Sequence, residues 1–534
     1  MILVLLLAIA TLAAFLLFGS NDASSLQSEK FNISFAQFQK AILVWFTLGS
    51  LLVVFFAARA LPAKSDVTHP ESSVLYSAEL AAKSGRLYSD LNSPPYTPTP
   101  YGPFFYSSLQ AVARLTGSQA DQIRRGYRLF DFGCFLLLPF VVFSILRRLK
   151  CSLLLALAGA LASSSAFFFH TWNITARPDI PALLLSILAL WFVSRREEPQ
   201  TSDIILAALA CTSAILFKQS FLAAPLAIFL TLVVRRRFKD ALVFLTGDVL
   251  FGSAALGYYI ARGEPVIRQI LLVGKSPIDL HSSLFLINEC LPVGLGVVVL
   301  LLGCAGFWLA VSSDNWRLKL LGFYFFFSTL VGMITILQVG GNCNYFFEMW
   351  VASALLLPFV FPKLEGPWNL APIGLKWGTV VMLLVLLLQQ AYELRQVAKL
   401  VKNYDTAPLS GLRIFSTLPY FTLHGKDPQF LDPFLLTIAE QHKVWSPDPL
   451  LKKITGQEFD VVILMEAGHQ LSKYRGYDLH SPRVVAAFKE NYQPTCRTDG
   501  LVVLHPVSRG VSFGPGDASR LLGEACYPVG DMGY

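Results

Sequence analysis

Ionised side chains are scarce in this sequence. Asp, Glu, Lys and Arg make up 15% of its 534 residues and 54% are hydrophobic, whereas soluble globular proteins carry about 25% charged residues. So few charges cannot cover a water-facing surface of ordinary size, which excludes a soluble globular chain. The eight cysteines include no CxxC pair and no zinc spacing, which removes a structural zinc module. No glycine fingerprint follows a strand-like run, so a dinucleotide site is not expected. A basic domain is missing too. The surplus of 43 Lys and Arg over 35 Asp and Glu is dispersed in short clusters, and no nucleic-acid partner is expected. Met1–Phe18 has neither the positive start nor a convincing small-residue cleavage site of a secretory leader, and reads as a retained span.

Long apolar runs are what the chain has instead. About twelve can be read, near 1–18, 41–60, 128–146, 152–170, 181–194, 203–217, 219–234, 241–260, 283–311, 319–338, 348–362 and 372–394. A membrane span needs about 20 apolar residues, so the shorter runs imply tilted or partly re-entrant segments. Four basic clusters follow runs ending near 146, 194, 234 and 311: Arg147, Arg148 and Lys150; Arg195 and Arg196; Arg235, Arg236, Arg237 and Lys239; Arg317 and Lys319. Lys and Arg resist translocation, so all four belong in the cytoplasm. That needs an even number of spans between neighbouring clusters, and the segmentation supplies two each time. The stretches 61–127, 171–180, 218, 261–282, 339–347 and 395–534 then fall outside. The expected fold is mainly α: a helical membrane bundle of about 12 spans over 1–394 and a small α/β domain outside the membrane over 395–534.

Two outside regions are large. The first, 61–127, contains SPPYTPTPYGPFFY with Pro94, Pro95, Pro98, Pro100 and Pro103, which predicts a stiff, extended stretch. The preceding ESSVLYSAELAAKSGRLY has helical apolar spacing and predicts a helix on the membrane surface, as does PVIRQILLVGK at 265–275. The tail carries strand-like runs at 459–465 and 501–505. Its Cys496 and Cys526 can pair if the tail is exported; the other six cysteines sit in or beside apolar segments, as small apolar fillers.

Three acids near membrane boundaries stand out: Asp66 and Glu71 after the second run, and Asp179 in ARPDIP before the fifth. Each alone can be a helix cap or a solvated loop charge. Together they can meet in one membrane-surface cleft, where a partly buried carboxylate serves as general base on a bound hydroxyl. Lys218 in LFKQS, Arg177, and Arg262 and Lys275 of the 261–282 loop are candidates for a donor phosphate, whose departure needs positive charge. The loop cations can also snorkel toward lipid headgroups, and Arg177 can pair with Asp179 or Glu71. In GGNCNYFFE, Asn342 and Asn344 offer sugar-type hydrogen bonds. Tyr345, like Tyr101 of the proline-rich stretch, offers a face for a sugar or acceptor, or belongs to an interfacial aromatic belt. Asp131 and Asp248, in spans, read as paired polar contacts between helices.

The ordered set HPESSVLY, LYSD…PPYTPTPYGPFFY, ARPDIPALLL, LFKQSFLAAPLA, GGNCNYFFE and DPFLLTIAE…FDVVIL resembles bacterial GT-C type membrane glycosyltransferases, family 39-like, relatives of the protein O-mannosyltransferases and aminoarabinose transferases. The resemblance runs from about 41 to 505 and rests on order and topology. It implies an inverting enzyme that takes a sugar from a polyprenyl-phosphate donor to a glycan, lipid or protein acceptor of the envelope. It places the protein in a bacterial inner membrane with active site and tail in the periplasm. It assigns the catalytic base to Glu71, or to Asp66, and acceptor or metal binding to Asp179; a divalent metal is an open requirement. Glu71 stands between Pro70 and Ser72, where the family more often has adjacent acids. The competing reading is a transporter or flippase of lipid-linked glycans; no internal repeat supports it.

Overall fold

The computed structural model describes residues 33–68, 71–166, 169–273, 276–280, 283–284, 286–287, 296–400, 404–467, 470–471, 473–474, 477–498, 500–509, 513–523 and 526–528. The run at 1–18 and Lys275 lie outside the described residues.

Apolar runs become helices because a backbone in hydrocarbon must satisfy its own hydrogen bonds. Among the described residues, six helices are long and apolar enough to cross a membrane: Phe35–Ala60, Ala120–Arg148, Phe238–Ala261, Trp316–Thr335, Cys343–Leu370 and Ile373–Arg395. Five shorter apolar helices accompany them: Leu153–Ser164, Asp179–Ser194, Thr201–Phe217, Ala223–Val234 and Val299–Ser312. The order alternates end to end, so the turns near 150, 197, 236 and 314 gather at one end, the basic end. Arg148 donates to the Arg195 carbonyl at 2.6 Å and Arg237 to that of Pro199 at 2.8 Å. Arg235 stacks 4.2 Å from the Trp316 ring centroid. The topology read from the basic clusters thus has all four at one end.

The short helices shape the other end. A helix of 12 residues such as Leu153–Ser164 rises about 18 Å, well short of a hydrocarbon core of about 30 Å. The irregular turns 173–178 and 218–221 therefore recede into the bundle, and residues 172–180 are all buried. Irregular backbone is tolerated at that depth where protein surrounds it.

The first large connection is not a loop throughout. It holds helices Glu71–Ser84 and Pro103–Thr116, and Ala120–Arg148 begins before 128. The extended proline stretch ends where Pro103 takes the first helical position, behind Gly102. Gly102 has no room for a side chain: a Cβ there would lie 2.0 Å from the Leu216 carbonyl oxygen. The Glu71 helix does not lie on a membrane surface. Its residues 71–78 are buried, wedged against Arg128 on one side and the tail on the other, with Tyr76 donating to the Pro428 carbonyl at 3.1 Å. The helix expected at 265–275 is a single turn, Val266–Arg268, followed by a π turn, Gln269–Val273. Its Gln269 ties Ser89 and Thr99 together at 2.9 and 3.1 Å.

The tail forms a sheet in which strand Ile414–Ser416 runs parallel to Val461–Ala467. Leu501–Pro506, Tyr492–Thr498 and Tyr527–Pro528 follow, antiparallel. Helices such as Pro433–Gln441 and Pro482–Asn491 pack on it. Cys496 and Cys526 are joined in a disulfide. Cys343 is disulfide-bonded as well, so it is not the apolar filler expected. The tail docks on the first connection: Tyr96 stacks on Phe430 at 4.7 Å, and Phe430 donates to the Pro95 carbonyl at 3.2 Å.

Candidate active site

Two arginines one turn apart on Ala120–Arg148 clamp the loop that carries the first acids. Arg128 meets Glu71 in a two-pronged pair, Nε to Oε1 at 2.9 Å and Nη2 to Oε2 at 2.5 Å, with both side chains fully buried. Its remaining donors reach the carbonyls of Ala63 and Ser65. Glu71 also accepts from the backbone N–H of Val67 at 3.2 Å and of Ala176 at 3.0 Å. Burial alone would raise the Glu71 carboxyl, but Arg128 outweighs it and holds it below the usual value. Arg124 donates to the Lys64 carbonyl at 2.6 Å, to Ser72 Oγ at 2.9 Å and to Asp66 at 3.2 Å. Ser72 gives Asp66 two more hydrogen bonds, at 2.6 and 3.0 Å. Burial pushes the Asp66 carboxyl up, Arg124 opposes it, and the neighbouring Glu71 charge adds to it.

The Ala176 bond carries the arrangement onward, because Arg177 and Asp179 follow at once. Asp179 opens helix Asp179–Ser194 and is buried. Its Oδ1 accepts from Lys218 Nζ at 2.6 Å and from Asn344 Nδ2 at 2.8 Å. Lys218 caps helix Thr201–Phe217 in extended backbone, and its ammonium lies 4.4 Å from the Tyr345 ring centroid, a cation–π contact. Arg177 donates to the Tyr101 hydroxyl and stacks 5.2 Å from the Trp172 ring centroid. Burial disfavours its charge, but Tyr101, Asp179 and Asp432 together hold its pKa above the ordinary value. Burial keeps Tyr101 a neutral phenol. Gln219 donates to the Pro100 carbonyl at 2.8 Å, fastening the Tyr101 loop to the Lys218 turn. Asp179, Lys218, Arg177, Tyr101, Asn344 and Tyr345, spread over 245 positions of sequence from 101 to 345, thus form one polar cluster at the end opposite the basic turns.

Other expected residues stand elsewhere. Asn342 spends its side-chain oxygen on the next residue's N–H at 2.8 Å and caps its turn. Arg262 is held by the Gly85 carbonyl at 2.6 Å, by the Tyr258 hydroxyl at 3.0 Å and by Glu264 at 3.1 Å, away from the cluster. Asp248 accepts from Thr212 Oγ1 at 2.6 Å, an interhelical contact as expected. Asp131 departs from that expectation: it is buried near Asp179 and Glu71, and neither oxygen has a side-chain donor among the described residues. Glu348 accepts from Ser186 at 2.5 Å and Tyr324 at 3.2 Å, a structural role. Sequence reasoning missed Arg124 and Arg128, although their spacing of four at the head of an apolar helix marks one face. It also missed Asp432, which caps helix Pro433–Gln441 by accepting from Leu435 N at 3.1 Å and accepts from Ser73 at 3.2 Å. No sequence signal joined Asp432 to the bundle.

Among the described residues no three His, Cys, Asp or Glu side chains converge as a metal cage. Glu71, Asp66 and Asp179 are instead each met by a basic side chain.

Residues 99–256 match the family model described as dolichyl-phosphate-mannose-protein mannosyltransferase. That stretch contains Tyr101, Arg128, Arg177, Asp179 and Lys218. No curated protein matches the sequence. ArnT from Cupriavidus metallidurans bound to undecaprenyl phosphate is similar over 87% of this chain and 98% of that one, with a TM-score of 0.54 and 13% identity. The apo state of the same protein gives 0.52 and 13%, over 86% and 97%. An oligosaccharyltransferase from Archaeoglobus fulgidus covers 66% of this chain and 53% of its own, with a TM-score of 0.41 and 14% identity. The likeness to ArnT shows a shared fold.

Proposed function

We propose that this chain, built on the GT-C glycosyltransferase fold, moves a sugar from a polyprenyl-phosphate donor to an envelope acceptor with inversion. The matching family model is described by a dolichyl-phosphate-linked sugar donor, and the ArnT structure holds undecaprenyl phosphate. The carrying observation is the Lys218–Asp179 pair with Arg177, Tyr101 and Asn344 around it. The cluster joins a carboxylate able to take a proton to cations able to receive a phosphate.

The donor's phosphate draws Lys218 and Arg177 to itself. Asp179 loses its ammonium partner and is free to accept the acceptor's hydroxyl proton while Asn344 holds its orientation. The acceptor oxygen forms a bond to the anomeric carbon from the face opposite the phosphate. The carbon–oxygen bond to phosphate breaks, and the lipid phosphate leaves with its negative charge met by Lys218 and Arg177. The base expected at Glu71 or Asp66 passes to Asp179 in this scheme. Glu71 already takes two donors from Arg128 and two backbone N–H groups, and so positions the Ala176–Arg177 backbone. Asp66 is likewise engaged by Arg124 and Ser72.

The acid cluster would face the periplasm, with the basic turns in the cytoplasm. Two observations support that orientation: the described disulfide of the tail, and the bonded state of Cys343, beside the cluster. Disulfides persist in oxidising compartments. The test is to incubate purified protein with polyprenyl-phosphate sugars and envelope extract. The proposal expects acceptor-dependent release of lipid phosphate; sugar crossing a proteoliposome membrane with no new glycosidic bond would favour a flippase.

A further inference from the structure

At the basic end, three of the four turns border a cavity of about 320 Å³ lined by Arg148, Lys150, Glu197, Asn315, Trp316 and Arg317, among others. Translocation rules account for basic residues in these turns, but not for an open cleft among them. Trp316 supplies an aromatic wall, with the Arg235 and Arg317 guanidinium carbons 4.2 and 5.5 Å from its ring centroid. Glu198, also on the lining, is occupied by Arg235 at 2.7 Å and Arg237 at 3.0 Å. Arg148, Lys150 and Arg317 therefore face the space opposed by Glu197. Arg148 is fixed in place by its bond to the Arg195 carbonyl at 2.6 Å and by the Trp191 ring, 5.3 Å away.

Two donors remain unfilled. Arg317 Nε and Arg235 Nη1 are buried atoms with no acceptor among the described residues, and a buried donor left unmatched is costly. Helix Trp316–Thr335 also begins here, with Asn315 as its cap, so its positive dipole end adds to the field. Arg317 lines the cavity, so an anion with several oxygens there would fill its donor and neutralise the cations. Exposed Leu153, Val311 and Phe238 lie at the same end, which suits a ligand with acyl chains alongside.

We propose that this cavity binds the phosphate group of an anionic membrane lipid from the leaflet at the basic end. It is distinct from the donor site, which lies at the other end of the helices. A basic pocket between membrane helices is a known type of lipid-headgroup site, and Arg beside an aromatic wall suits a phosphate.

The full-length protein in mild detergent is titrated with dihexanoyl phosphatidylglycerol, dihexanoyl phosphatidylcholine and inorganic phosphate, reading the shift in Tm. Phosphatidylglycerol is expected to raise Tm saturably, with phosphatidylcholine much weaker. Lys150→Gln/Arg317→Gln is expected to weaken phosphatidylglycerol about fivefold per cation removed, about 25-fold in all. Inorganic phosphate acting as strongly as the lipid, and lost in the same variant, supports the anion site and assigns it to a soluble phosphate. An identical shift in wild type and variant, or no shift with any anion, overturns the proposal. Should the double variant fail to fold, Glu197→Gln decides: it is expected to tighten phosphatidylglycerol about fivefold by removing one opposing charge, and an unchanged affinity overturns the proposal.

Discussion

Arg128 and Glu71 face each other in a two-pronged pair: two charge-assisted bonds join them, and the Arg128 guanidinium and Glu71 carboxylate are both fully buried. Removing one partner of a buried pair costs about 3–5 kcal/mol, because the other is left as an uncompensated charge. Glu71→Gln is therefore expected to lower Tm sharply and to lose transfer through misplacement of Arg177. Glu71→Gln/Arg128→Met removes both charges and is expected to recover part of the Tm and part of the transfer. Such rescue fits a positioning carboxylate. A double variant as inactive as Glu71→Gln but as stable as wild type would return the base to Glu71.

His480 sits fully buried in the tail, its ring 5.2 Å from that of Phe415, and burial pushes its pKa down to about 3 from 6.5. The folded tail therefore keeps the neutral ring, while the unfolded chain takes up a proton below pH 6.5. Stability falls as pH drops from about 6.5 toward 3, by about 1.4 kcal/mol per pH unit at most. His480→Phe is expected to flatten this slope in a pH series of thermal unfolding. An unchanged slope would assign the acid sensitivity to other groups.

Asp432 joins the tail to the bundle by capping its own helix and accepting from Ser73. Asp432→Ala loses a cap, worth about 1 kcal/mol, and a link to the Glu71 helix. The expected kinetic outcome is a raised KM for acceptor with kcat changed less, since the Lys218–Asp179 pair that carries the chemistry is untouched. A pure kcat loss would place Asp432 in the chemistry.

Cys496 and Cys526 close a loop with a sequence separation of 30, and a crosslink of that size contributes about 2–4 kcal/mol. Cys496→Ser is expected to lower the Tm of the tail's transition, with the same loss on reducing the wild type. No loss in either would remove the disulfide from the fold's support.

The gathering of the basic turns at one end was legible because charge decides it: four basic clusters separated by paired apolar runs can meet at one end only if the helices alternate. Asp179 and Lys218 were legible for a related reason, each being an ionised group at an apolar boundary on the same side. What was not legible is how the charges pair. Arg124 and Arg128 read as the flank of a span, and nothing local shows that they reach back across about 60 residues to Lys64 and Glu71. The Glu71 helix has the apolar spacing of a surface helix, yet its burial follows from the tail folding over it, a long-range event that periodicity does not encode. Arg262 and Asn342 looked like ligand groups by residue type, but neighbouring backbone and side-chain groups claim them.

The central claim is that Lys218 serves the donor phosphate while Asp179, released from it, serves the acceptor. Measuring polyprenyl phosphate binding and sugar transfer side by side in Lys218→Gln and Asp179→Asn tests it most directly. The account predicts that Lys218→Gln loses lipid phosphate binding. It predicts that Asp179→Asn binds the lipid at least as tightly as wild type yet transfers sugar on the order of a hundredfold more slowly. Wild-type transfer in a folded Asp179→Asn protein, or undiminished binding in Lys218→Gln, would contradict it.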